Sequence, residues 1–208
     1  MSRSLTLSTH ASITDIPAAE WDGFGGGNPF TSHRFLAALE ASGSVGRGTG
    51  WQPLHLSVSD GESILGVAPL YAKSHSQGEY IFDHAWAEAF QRAGGSYYPK
   101  LQCAVPFTPA TGARLLSHDP QARQALLAGM TQVAGRGGAS GVHVTFCTEE
   151  EAALGEEVGF LPRITQQFHW LNREYASYDD FLGSLSSRKR KAIRKERARA
   201  QAFGGRIT

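Results

Sequence analysis

The segment from Pro53 to Lys73 restricts the fold more than any other part of the chain. Leu54, Leu56 and Val58 alternate with polar residues, Asp60-Gly61 follows, and Ser63 to Lys73 returns. Alternation puts the three apolar side chains on one face of a strand. Asp-Gly accepts the positive backbone angles of a two-residue hairpin turn. The segment therefore predicts an antiparallel pair with one apolar face that other elements must cover.

Those elements can be read on both sides of the hairpin. Upstream, Ser4 to Ser8 predicts a short strand and Pro17 to Trp21 a brief helix. A longer helix is capped by Thr31 or Ser32, with Phe35, Leu36 and Leu39 on one face and Ser42-Gly43 as its stop. Downstream come an amphipathic helix Phe82 to Ala93 (Phe82, Trp86, Ala89, Phe90), a strand Lys100 to Phe107 and a helix Pro120 to Ala134. A strand Val142 to Cys147, a helix Glu149 to Glu157 and a strand Thr165 to Asn172 complete the series. Antiparallel strands followed by strand-helix alternation indicate an α+β (α/β-like) fold, one mixed, mostly antiparallel sheet flanked by helices. From Tyr178 the style changes. A helix starting near Asp179, with Phe181, Leu182 and Leu185, is expected to run on to Gly204-Gly205, with another strand beginning at Arg206. This places a domain boundary near residue 175, so that residues 176–208 open a second, truncated domain.

Composition narrows the setting. The 208 residues are 41% hydrophobic, enough for a core. No run approaches the roughly 18 apolar residues of a membrane helix, and Met1 to Glu20 lacks the apolar region of a secretory signal, so a cytoplasmic protein without membrane insertion is expected. Cys103 and Cys147 lie apart in apolar runs, which predicts buried thiols rather than a disulfide or metal ligands. Ser187 to Ala200 holds eight basic residues and one acid, leaving twelve basic and eighteen acidic residues elsewhere out of totals of 20 and 19. A concentrated cationic element on an otherwise acidic chain points to an anionic partner.

Several residues are candidates for chemistry. Thr108-Pro-Ala-Thr111-Gly112-Ala-Arg114 lies between a predicted strand and a predicted helix, where backbone N–H groups can meet a phosphate, Gly112 permits close approach and Arg114 offers a fork. The alternative is a Pro-stiffened connection whose Arg pairs with an acid. Tyr97, Tyr98 and Lys100 can line the same cleft or simply pack. His84 and His169 are the candidate general bases, or else structural histidines. In the basic run, Arg188, Lys191, Lys195 and Arg199 form one helical stripe, with Arg190, Arg194 and Arg197 beside it. That run is either a solvated face or a site for a polyanion. Metalloprotease, paired-Cys, Gly-x-Ser-x-Gly and nucleotide-loop patterns are absent, which disfavours metal-dependent hydrolysis, α/β-hydrolase chemistry and nucleotide hydrolysis.

Taken together, Asp83-His84-Ala-Trp86-Ala87, Tyr97-Tyr98-Pro99-Lys100-Leu101-Gln102 and Val105-Pro106-Phe107-Thr108-Pro109-Ala-Thr-Gly112-Ala-Arg114-Leu115-Leu116 resemble the bacterial FemAB-like family of N-acyltransferases. Gln167-Phe168-His169-Trp170-Leu-Asn172 and the stretch Phe181 to Arg197 continue the similarity. The resemblance implies two tandem domains of the GNAT acyltransferase type, the first over residues 1–175, and transfer of an acyl or aminoacyl group to an amine in cell-wall precursor metabolism. It implies acyl-coenzyme A or aminoacyl-tRNA as donor and no metal. Arg188, Arg190, Arg194 and Arg197 would then face the inter-domain cleft or the phosphates of a tRNA- or nucleotide-linked substrate. It further implies that a chain ending at Thr208 lacks the better-formed donor site and is inactive alone. A polyanion-binding protein and a non-catalytic recognition module for cell-wall precursors are the alternatives.

Overall fold

The hairpin expected at residues 53–73 is present, but it is divided between two sheets. The computed structural model describes residues 4–202 and 204, and the chain falls into two units, Met1–Ile164 and Thr165–Thr208. In the first unit β2 (Trp51–Pro53) and β3 (His55–Ser59) form one arm of the hairpin, β4 (Ile64–Ala68) and β5 (Leu70–Lys73) the other. β3 pairs with β4 and β2 with β5, both antiparallel. Leu54 donates its N–H to Leu70 O at 2.9 Å and keeps the arms together across the joint. Pro69 stands at that joint, and a residue without an N–H interrupts the ladder there.

Each half recruits further strands. The first sheet has the order β1-β3-β4-β7, with β1 (Thr6–His10) and β7 (Leu116–Ser117) at its edges. The second runs β2-β5-β6-β8, with β6 (Lys100–Cys103) and β8 (Val142–Val144) as a parallel pair in an otherwise antiparallel set. The expectation of a single mixed sheet is thus corrected to two sheets in a mixed α+β fold.

The long helix α4 (Pro120–Gly137) joins β7 to β8. Asp119 caps it, accepting the Gln121 N–H at 2.8 Å, and Gly138 ends it at φ +66°. Leu126, Leu127 and Met130 of α4 share one core with Leu56 and Val58 of the first sheet and Leu70, Leu101 and Cys103 of the second. Its approach to β1 is close: a Cβ added at Gly129 would lie 2.6 Å from Leu7. The first sheet carries a second core, built from Ile13 and Ile16, Trp21 of α1 (Ala18–Asp22) and Leu36 of α2 (His33–Ala41) against Val67 and Leu116. Ser32 caps α2 through the Phe35 N–H.

Other expectations shift in extent. The helix expected from Phe82 is α3 (His84–Arg92), and its apolar stripe faces out: Phe82 is 77% and Trp86 55% exposed, while only Ala87 is buried. β6 stops at Cys103 rather than Phe107, and β7 stands between the 108–114 loop and α4, so that loop does not open a helix. α5 (Glu149–Glu157) lies where expected, capped reciprocally by Thr148 and Glu151.

In the second unit, residues 165–172 form no strand and are exposed. The helix expected to run from Asp179 through the basic run is two, α6 (Tyr178–Gly183) and α7 (Ser187–Gln201). Ser186 caps α7 at the break. The strand expected at Arg206 lies outside the described residues. None of the described helices is long and apolar enough to cross a membrane.

Glu151 ties α5 to the connection preceding β7. Its Oε1 accepts the N–H groups of Arg114 at 2.7 Å and Leu115 at 2.6 Å, and its Oε2 accepts that of Thr148 at 3.1 Å. Glu151→Ala strands two buried donors, and urea denaturation should show a loss of about 2–4 kcal/mol.

Candidate functional site

Every strand of the second sheet alternates. Leu70 and Ala72 of β5, Leu101 and Cys103 of β6, and Val142 and Val144 of β8 turn to the α4 core. The opposite face therefore receives Tyr71, Lys73, Lys100, Gln102 and His143. That face is covered too, by residues 74–83 and by Tyr97, so its polar groups are buried: Tyr71, Lys73, Lys100 and Gln102 are all fully inaccessible.

Their partners form one cluster. Lys100 Nζ donates to Glu79 Oε2 at 2.7 Å and to Asp83 Oδ2 at 2.5 Å. Asp83 Oδ2 also accepts the Tyr97 hydroxyl at 2.8 Å, and that hydroxyl lies 3.4 Å from His143 Nε2. With the Tyr97 proton directed to Asp83, the network assigns the His143 Nε2 as the protonated nitrogen. Lys73 Nζ sits 3.9 Å from Glu79 Oε1, donates to Gln77 O at 3.2 Å and lies 3.5 Å over the Trp51 ring. Tyr98 exchanges a hydrogen bond with Ser76 at 2.8 Å. Tyr98-Pro99 is a cis peptide.

Burial sets the protonation states. It lowers the Lys73 ammonium to about 7, against the pull of Glu79, and raises the Glu79 carboxyl, against the attraction of Lys100. Burial acts the same way on Asp83, but the hydrogen bonds from Lys100 and Tyr97 outweigh it and bring that group to about 2. Tyr97 is driven up by burial and by its bond to Asp83. Burial, and then the Lys100 charge, bring His143 down to about 4, so it is neutral at pH 7. The arrangement holds the Glu79 carboxyl between two lysines and places a neutral imidazole at the end of an Asp-Tyr hydrogen-bond chain.

Of the residues singled out from sequence, Tyr97, Tyr98 and Lys100 come together here. The loop meant to share their cleft lies past the other end of β6. Arg114 is buried, with Nε on Thr145 O at 3.0 Å and its remaining nitrogens on the carbonyls of Ala110, Gly112 and Ala113. Its fork is used within the fold. Thr108 donates to Pro106 O, Thr111 is exposed, and Gly112 donates its N–H to Phe146 O. His84 is exposed against Phe82, and His169, also exposed, contacts Gln167.

In the second unit Arg188 is exposed, Arg190 donates to Leu185 O at 3.2 Å, Arg194 meets Asp179 at 3.5 Å and Arg197 stacks 4.5 Å from the Tyr178 ring. Lys73, Glu79 and His143 escaped the sequence reading. The signal available was the strict alternation of Tyr71-Ala-Lys73, Lys100-Leu-Gln102 and Val142-His143-Val144. Among the described residues no group of three or more His, Cys, Asp or Glu can hold a metal ion.

The depressed His143 pKa has a thermodynamic consequence. Between pH 6.5 and about 4 the unfolded chain binds a proton that the folded chain refuses, so the contribution is complete above pH 6.5 and is lost as pH falls toward 4. Calorimetric melting across this window should show stability falling on acidification, with a shallower slope in His143→Gln. An equal slope in the variant would assign the loss to other groups.

No curated protein matches the sequence. A solved acetyltransferase from Trypanosoma brucei is similar over 81% of this chain and 100% of its own, at 14% identity and a TM-score of 0.44. The FemAB-like family model, described as peptidoglycan biosynthesis/recognition, matches residues 12–208. The chain belongs to the FemAB-like family.

Proposed function

We propose that the chain acts as an N-acyltransferase of cell-wall precursor metabolism, with its first unit a GNAT-type domain and the Lys100 cluster as the place where the substrate is held. The observation that carries this reading is the polar face of the second sheet. A parallel pair, β6 and β8, is joined through helix α4 inside an otherwise antiparallel set, and Lys100, Gln102 and His143 rise from it. Family membership directs the substrate class toward peptidoglycan precursors.

Acyl transfer to an amine asks little covalent chemistry of the protein. The amine must be held unprotonated against the acyl carbon, and its proton must leave as the bond forms. His143, neutral at pH 7, is the group on this face that can accept the proton, while Tyr97 and Asp83 hold its ring in place and Lys100 fixes Asp83 as the anion. Acyl-coenzyme A or aminoacyl-tRNA would serve as donor. The exposed stripe of Arg188, Lys191, Lys195 and Arg199 on α7 favours a donor or substrate that carries phosphates.

The test is a transfer assay on the full-length protein, with acetyl-coenzyme A or aminoacyl-tRNA as donor and a muropeptide amine as acceptor. Tyr97→Phe removes one hydroxyl and keeps the ring, so the fold should survive while turnover falls about tenfold or more. Unchanged turnover in this variant would remove the cluster from the reaction. Muropeptide binding without transfer from either donor would leave the recognition role alone.

A further inference from the structure

Lys73 and Lys100 are direct partners across β5 and β6. Side chains so paired rise from the same face roughly 5 Å apart, where like charges repel. Both lysines are also fully buried, which raises the cost of charge further. Two carboxylates offset them, unevenly: Asp83 Oδ2 at 2.5 Å and Glu79 Oε2 at 2.7 Å both reach Lys100, while Glu79 Oε1 stays 3.9 Å from Lys73, beyond hydrogen-bond range. That Oε1 is buried without a hydrogen-bond partner. The nearest other groups to Lys73, the Gln77 carbonyl and the Trp51 ring, are neutral. Both carboxylates thus hydrogen-bond Lys100, and Lys73 is left without a hydrogen-bonded anion.

The segment that delivers this carboxylate has inverted polarity. Residues 74–83 have turns and bends but no regular structure. Glu79 and Asp83 point inward and are buried, whereas Tyr80 (56%) and Phe82 (77%) are exposed to solvent. Glu79 is held between two left-handed residues, Gly78 at φ +79° and Tyr80 at φ +57°. For tyrosine that conformation is disfavoured, so the surrounding contacts must impose it.

We propose that Lys73 and Lys100 form a clamp for a phosphoryl group, and that Glu79 is an internal stand-in which such a ligand displaces as residues 74–82 move aside. Protonated, the two lysines bring six N–H donors, and a tetrahedral phosphoryl group can meet both where the Glu79 carboxylate hydrogen-bonds one. Asp83 stays with Lys100 and Tyr97. The inference rests on the reading of this cluster as the substrate site, but not on acyl transfer, and its test has no transfer readout.

The experiment titrates the full-length protein with inorganic pyrophosphate, at constant ionic strength, by calorimetry and by thermal melting. Glu79→Gln removes the competing charge at nearly constant shape, so pyrophosphate should bind this variant at least tenfold more tightly than it binds the natural chain. The ligand should also raise the melting temperature of the variant more. Lys73→Met replaces one buried cation with an apolar chain of similar length and should abolish the effect while the protein stays folded. Equal binding by Lys73→Met would place the anion elsewhere, on the cations of α7, and overturn the clamp. So would the absence of saturable binding to a folded Glu79→Gln protein at millimolar pyrophosphate. Adenosine diphosphate and geranyl diphosphate, run in parallel on Glu79→Gln, separate a nucleotide-borne from a lipid-borne group. Rejection of both would overturn the clamp as a substrate site.

Discussion

The inner strands β3, β5 and β6 of the first unit are covered on both faces, and the constraint this imposes runs through the whole unit. Alternation sends apolar side chains to the α4 core and polar ones to the other side, where water does not reach them. A buried polar group without a partner costs about as much as several good apolar contacts contribute. Such groups therefore draw particular segments onto the sheet. His55 meets Glu40 of α2 at 3.1 Å, Ser57 meets His10 of β1 at 2.8 Å, and Gln102 donates to Thr145 at 2.8 Å. The two lysines draw in residues 74–83 by the same rule. Polar pairing decides which loop lies where, while apolar area supplies most of the stability.

How much of this was legible follows from which signals are local. The hairpin could be read because alternation and Asp60-Gly61 lie within its own residues, although the connection is four residues, 60–63, rather than two, with Asp60 accepting the Glu62 and Ser63 N–H groups. α5 could be read because Thr148 and Glu151 carry the capping signature themselves. The division of the hairpin between two sheets could not be read, since the alternation passes through Leu54 without a break and only Pro69 marks the joint. α3 misled for a related reason: its aromatic stripe has helical spacing, but the group anchored inside is Asp83, one residue before the helix. Tyr97, Tyr98 and Lys100 stood out as a cluster in sequence. Lys73 and His143 did not, because a single polar residue in a strand reads as a solvent-facing position until register places it opposite another, and Glu79 did not, because it lies in a segment without regular structure.

Charge in the second unit is handled differently, in the open. Three of the cations of α7 find partners on or just after α6, namely the Leu185 carbonyl, Asp179 and the Tyr178 ring. These contacts relieve some of the repulsion within the basic run and hold the short helix α6 against its neighbour. Exposed pairs of this kind contribute little each, roughly 0–1 kcal/mol, and weaken with salt. A buried lysine pair and an exposed arginine run are therefore two distinct treatments of positive charge in one chain: the first is fixed by geometry, the second is tuned by the medium.

The shared hairpin also bears on the order in which the fold assembles. Its pairings, from Trp51 with Lys73 inward to Ser59 with Ile64, join residues close in sequence, whereas Leu101 meets Val142 only after α4 has been traversed. Loop-closure entropy favours the nearer pairing first. Because one ribbon belongs to both sheets, its early closure leaves an edge on each, and β1 and β6 then add to templates already formed. By that entropy a single closure is favoured to nucleate both sheets, which makes them kinetically one object although they are separate ladders.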